Sequence, residues 1–174
     1  MKKNRSFTLI EVIIAISIFT MIVSGSFALI QQTISAVSLA HSKIIAYYLA
    51  QEGVEIARNI RDNNWLKQRT DPLVTWRDGL LAGIWEADYN DSALSGYLAP
   101  GKDLYIDTIN GFYFYPDMPL PEHTKTKFKR KITITIPPGS TDDLYVESRI
   151  EWTEKTRSVN VRVAEHLYNW YGYK

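Results

Sequence analysis

The side chain whose placement most invites chemistry is Glu11. It is the one Asp, Glu, Lys or Arg between positions 7 and 40, it lies four residues into an apolar stretch, and no charge follows it in 12–30. A carboxylate costs about 2.5 to 3.5 kcal/mol at the centre of a bilayer and less toward the interface, so such a group usually has a partner. Two readings stand on the residues alone: a functional carboxylate with a partner, and an interfacial carboxylate that is merely tolerated. Other groupings carry less. Gly96, Gly101 and Lys102 fit the first seven positions of a phosphate-binding loop, but Asp103 stands where Ser or Thr should hold magnesium, and its charge repels phosphate. His41, His123 and His166 lack helical metal-pair spacing, and the absence of cysteine excludes thiolate nucleophiles, Cys-ligated zinc and disulfides. Asp142 with Asp143, and Asp88 with Asn90 and Asp91, lack the ligand spacing of a calcium loop and read as turns. The expectation is a protein with no enzymatic activity, no metal and no cofactor.

The element that holds Glu11 is itself informative. Positions 12–30 contain eleven Val, Ile, Leu or Phe residues, worth about −3 to −7 kcal/mol together on insertion scales. Nineteen uncharged residues suffice to span a bilayer. Lys2, Lys3 and Arg5 precede the span, and the positive-inside rule keeps that end cytoplasmic. No small-residue cleavage site of the secretory type follows, so the span is expected to be retained. Beyond it the apolar positions form helical stripes, Ile34, Val37, Ile44 and Tyr48 on one side and Ile45, Leu49, Ile56 and Ile60 on another. One helix of near sixty residues is therefore expected, with Gly25 between Ser24 and Ser26 as a point of bending or melting. Gly53 lies in the second stripe, where a missing side chain lets a sheet approach closely or simply costs about 1 kcal/mol of helix propensity.

The basic leader of residues 1–6, followed by Phe7, Thr8, Leu9, Ile10 and Glu11 and then an aliphatic helix, resembles the prepilin leader and methylation motif of type IV pilins and type II secretion pseudopilins. The resemblance implies cleavage between Ser6 and Phe7 by a membrane-bound prepilin peptidase, which also methylates the new amine. The family's residue before the cut is normally Gly, where this chain has Ser6. It further implies that Glu11 neutralises the Phe7 amine of a neighbouring subunit, and that an inner-membrane assembly platform extracts subunits into an extracellular pilus or a periplasmic pseudopilus. Positions 50–61 resemble the helix of minor pilins. The favoured reading is thus a minor pilin that polymerises through its N-terminal helix; the alternatives are a type II secretion pseudopilin and a single-pass anchor presenting a binding domain.

The rest of the chain reads as a head. Asp62, Asn63 and Asn64 close the helix, and Thr70, Asp71 and Pro72 predict a short helix over 73–82. Trp65, Trp76 and Trp85 read as core plugs, and 86–101 as loop. Asn110-Gly111 predicts a two-residue hairpin between strands at 104–110 and 112–115. Alternation at Ile132, Ile134 and Ile136, at Leu144, Val146, Ile150 and Trp152, and at Val159, Val161 and Val163 predicts an antiparallel meander with one apolar face for the helix to cover. The fold class is α+β and pilin-like: leader 1–6, transmembrane and assembly helix 7–30, amphipathic half 31–66, connecting region 67–103, antiparallel β-sheet head 104–174. The dense basic run Lys125, Lys127, Lys129, Arg130 and Lys131 offers nucleic acid or an anionic surface a contact, but its alternation favours charge pairing with Glu147 and Glu151 on a neighbouring strand. The aromatic tail, Tyr168, Trp170, Tyr171 and Tyr173, is expected to pack on the sheet or on another subunit, replacing the disulfide that closes many pilins of the resembled family.

Overall fold

The computed structural model describes residues 8–170. A single helix, α1 (Leu9–Lys67), is followed by β1 (Gly83–Glu86), β2 (Ser95–Gly96), β3 (Asp103–Asp107), β4 (Tyr113–Phe114), β5 (His123–Thr135), β6 (Asp143–Glu154) and β7 (Arg157–Tyr168). The chain divides into two units, Met1–Ser42 and Lys43–Lys174. In the first, α1 is the sole element among the described residues, and its apolar side chains from Leu9 to Val37 are largely exposed. Its best 18-residue window has a mean hydropathy of 2.4, long and apolar enough to cross a membrane. The hydroxyls in this stretch bond to the helix itself: Ser17 to Ile13 C=O, Ser24 to Thr20 C=O and Ser26 to Ile22 C=O, at 2.7–2.9 Å. Each polar group is thereby satisfied without water. The helix runs without interruption through Gly25, so the expected melting there does not occur; Ser24 and Ser26 bond within the helix instead of competing with it.

In the second unit the stripe of Leu49, Ile56 and Ile60 is buried against the sheet, together with Ala46, Ala50, Val54 and Ala57. Ile44 and Tyr48, from the other stripe, stay exposed. Gly53 is required by close approach: a Cβ there would stand 2.3 Å from Ser148 Oγ and 3.0 Å from Ser148 Cβ. Strands β5, β6 and β7 form the antiparallel meander, in continuous register from Asp143 with Tyr168 to Glu154 with Arg157. Ile132, Ile134, Leu144, Val146 and Ile150 point from it into the core. On its other side β5 pairs with β1 and with β3, which carry the two-residue outer strands β2 and β4.

Two local expectations are corrected. Residues 73–82 form turns, not a helix. Side chains capture the backbone groups a helix would need: Asp71 Oδ1 accepts the Leu73 N–H, Asp78 accepts the Thr75 N–H, and Asn64 donates to the carbonyls of Trp76 and Asp78. Strands β3 and β4 do form a hairpin, but a longer one than Asn110-Gly111 predicts. Asp107 accepts the N–H groups of Ile109 and Asn110, while Gly111, at φ +76°, returns its N–H to Asp107 C=O. The Ile109 amide, ahead of Asn110, holds the Asp107 carboxyl below its usual range. Trp65 and Trp76 are buried core plugs, and Trp85 packs against the same cluster. At the carboxy terminus Trp170 meets Trp65 edge-on at 4.6 Å, Trp65 Nε1 donates to Asn169 Oδ1, and Asn169 bonds Asp142 through backbone and side chain. Asn169 and Trp170 are thus fastened to α1 and to the sheet. Tyr171 and Tyr173 lie outside the described residues.

Candidate functional site

Of the site singled out in the sequence, Glu11 falls among the described residues. Lys2, Lys3, Arg5, Ser6 and Phe7 lie outside the described residues; Glu11 occupies the first turn of α1 and is exposed. Its carboxylate accepts from the Thr8 N–H at 3.3 Å and the Thr8 hydroxyl at 3.4 Å, while the Glu11 N–H meets Thr8 Oγ1 at 3.4 Å. Thr8 and Glu11 therefore form a reciprocal capping box, with Thr8 at the N-cap and Glu11 three residues on. The arrangement fixes the start of the apolar helix immediately after Phe7 and sets a negative charge against the positive end of the helix dipole. Thr8 is the residue that the reading of Glu11 passed over. The signal was present: Thr-x-x-Glu before an apolar run is a capping box by pattern.

In the head, the buried polar groups tie elements together. Arg130 is fully buried; it donates to Ala87 C=O at 2.8 Å and to Glu52 Oε2 of α1 at 2.6 Å. This corrects the place of Arg130 in the basic run, since its even position on β5 faces the helix with Ile132 and Ile134. Three of the lysines pair outward with carboxylates, in kind as expected but with other partners: Lys127 with Glu154, and Lys125 and Lys129 with Asp103. Lys131 stands in register with Arg149 and over the Tyr97 ring. Every one of these contacts serves the sheet.

The Gly96 to Lys102 segment is no phosphate cradle. The Lys102 N–H donates to the buried Glu86 carboxylate at 2.8 Å, and the Gly101 N–H returns to Leu98 C=O. Asp88, also buried, accepts the N–H groups of Asn90 and Tyr115 and so holds a turn. Burial raises the Tyr115 phenol well above its ordinary 10.0, with the nearby Glu86 and Asp88 charges adding to the effect and Arg130 opposing it. His123 accepts the Leu120 N–H, His166 pairs with Asp143, and no group of three metal-ligating side chains occurs among the described residues.

Residues 1–27 match the prokaryotic N-terminal methylation motif, the type IV pilin and pseudopilin signature. No curated protein and no solved structure matches the chain.

Proposed function

Taking that motif as premise, we propose that the chain is a minor pilin, a structural subunit of a type IV pilus. Prepilin peptidase cuts between Ser6 and Phe7 and methylates the Phe7 amine; the subunit waits in the inner membrane with its leader end cytoplasmic, and the assembly platform then extracts it. The observation that carries this reading is a lone carboxylate one turn after the cleavage point, at the head of a run, 12–40, that holds no Asp, Glu, Lys or Arg. In the separate subunit the Thr8 capping box solvates Glu11 with its own backbone and hydroxyl. In the filament, a neighbour's Phe7 ammonium replaces those weak acceptor contacts with a charge-assisted one. Two charges in an apolar bundle both lose hydration, so the pair's contribution lies in register more than in raw stability.

The likeness of 50–61 to minor-pilin helices supports the narrower assignment. Polymerisation, not turnover, is the activity. The test is Glu11→Val, examined in membranes and in sheared filaments: membrane insertion persists and incorporation is lost. Normal incorporation of that variant would overturn the reading.

A further inference from the structure

Strand β7 is an open edge. Among the described residues it pairs with β6 alone, through twelve consecutive positions without a bulge or a proline. Asn169 N–H donates to Asp142 C=O on the continuation of the same register. Odd positions therefore turn their peptide groups toward β6, and the N–H and C=O groups of Ser158, Asn160, Arg162, Ala164 and His166 point outward. The inner face is also incompletely covered here. Val159 and Val163 are half-buried where Ile134 and Val146 are sealed. Beside Val163 and Glu165 a cleft of about 380 Å³ opens toward Gln51, Val54, Glu55 and Arg58 of α1. An inward carboxylate such as Glu165 ordinarily blocks an edge; here Arg58 binds it together with Glu55, so the cleft keeps Val54 and Val163 in its lining and a rim on which one arginine offsets half of the charge of two glutamates.

We propose that β7 accepts a β-strand from a different polypeptide, antiparallel to it, with apolar side chains entering the cleft and a carboxylate opposite Arg162 on the outer face. Backbone bonds supply the affinity in such augmentation and the cleft supplies the selectivity. Arg162 is exposed and reaches Glu147 only at 3.7 Å, so it retains capacity for an acidic partner. A second copy does not fit, a point that rests on the filament reading. Screw-related copies meet through two different surfaces, and the sheet's opposite edge consists of β2 and β4, two residues each. An antiparallel pair of β7 strands needs a dyad normal to the sheet, which reverses the sheet-packed part of α1 in one copy relative to the other, whereas screw-related subunits keep one sense.

The test is amide exchange on the full chain, first alone in lipid micelles and then in the assembly isolated from membranes. The amides of Asn160, Arg162, Ala164 and His166 slow by about 100-fold on assembly, while those of Val161 and Val163, already bonded to β6, change little. That period of two separates strand addition from general burial. Ala164→Pro removes one outward N–H without touching the β6 ladder, so it keeps the melting temperature and lowers recovery in the assembly on the order of 10-fold; Ala164→Thr keeps both. Unchanged exchange at the even positions, or normal assembly of Ala164→Pro, overturns the proposal. So does a disulfide-linked homodimer of Ala164→Cys in this otherwise cysteine-free chain. Glu11→Val run in parallel distinguishes the failures: its normal incorporation defeats the filament reading, while the exchange pattern of the native assembly still judges β7.

Discussion

Replacing Gly53 by Ala sets two effects against each other. Within a helix the change is worth about 1 kcal/mol in favour of Ala. The new Cβ, however, would lie 2.3 Å from Ser148 Oγ, 3.0 Å from Ser148 Cβ and 3.4 Å from Arg130 Cδ. Neither neighbour can retreat easily. Ser148 is fully buried on β6, in register with Ile132 on one side and Val163 on the other, and Arg130 is held by Ala87 and Glu52. Overpacking of this kind costs about 1–3 kcal/mol, and contacts this short belong at the upper end. The net expectation is a loss of about 1–2 kcal/mol, or about 3–8 °C in melting temperature for a head of this size. Near-ultraviolet circular dichroism of the full chain in micelles reports it. Ser148→Ala is the second arm. Its hydroxyl has no hydrogen-bond partner among the described residues, so that change alone costs little, and it recovers about 1 kcal/mol or more of the Gly53→Ala loss in a double-mutant cycle. If Gly53→Ala melts at or above the native temperature, the distance between helix and sheet is not set at this point and the packing argument fails.

Three further outcomes are expected. Glu52→Ala leaves Arg130 buried with only the Ala87 carbonyl, costing about 3 kcal/mol by denaturant titration, because an uncompensated buried charge is more damaging than a missing pair. The raised phenol of Tyr115 makes the head lose stability as pH climbs above 10.0, where the unfolded chain ionises while the folded one does not; Tyr115→Phe flattens that alkaline limb and changes neutral-pH stability by about 1 kcal/mol, the net worth of one hydrogen bond. Trp65→Ala removes the contact with Trp170 and the bond to Asn169, destabilising the head by about 3–5 kcal/mol and exposing the carboxy terminus to proteolysis.

Much of this architecture was legible because it rests on periodicity. A charge-free run, two helical stripes and three alternating strands each follow from one repeated choice of side chain, and α1, β5, β6 and β7 appear accordingly. Gly53 was readable as a close-approach point because it interrupts a buried stripe. The misses lie where side chains bond the backbone over a distance. Nothing local to 73–82 shows that Asn64 will claim the carbonyls of Trp76 and Asp78, and nothing in Asn110-Gly111 shows that Asp107 will cap a longer loop. Arg130 was hidden by its neighbours: among four lysines it reads as surface charge, although its parity with Ile132 and Ile134 places it inside. At the candidate site, Glu11 was conspicuous by charge alone, whereas Thr8 required the capping pattern to be sought within an apolar context.

Cleavage between Ser6 and Phe7 would also change the charge balance, since losing Lys2, Lys3 and Arg5 from 20 basic residues leaves 17 against 19 acidic ones. Intact-mass and N-terminal peptide mass spectrometry of the chain recovered from its own membranes tests the central claim most directly. The account predicts a mature protein that begins at N-methylated Phe7. A protein that retains Lys2 and Lys3, with an unmethylated terminus, would contradict it and leave a plain membrane anchor carrying a β-rich head.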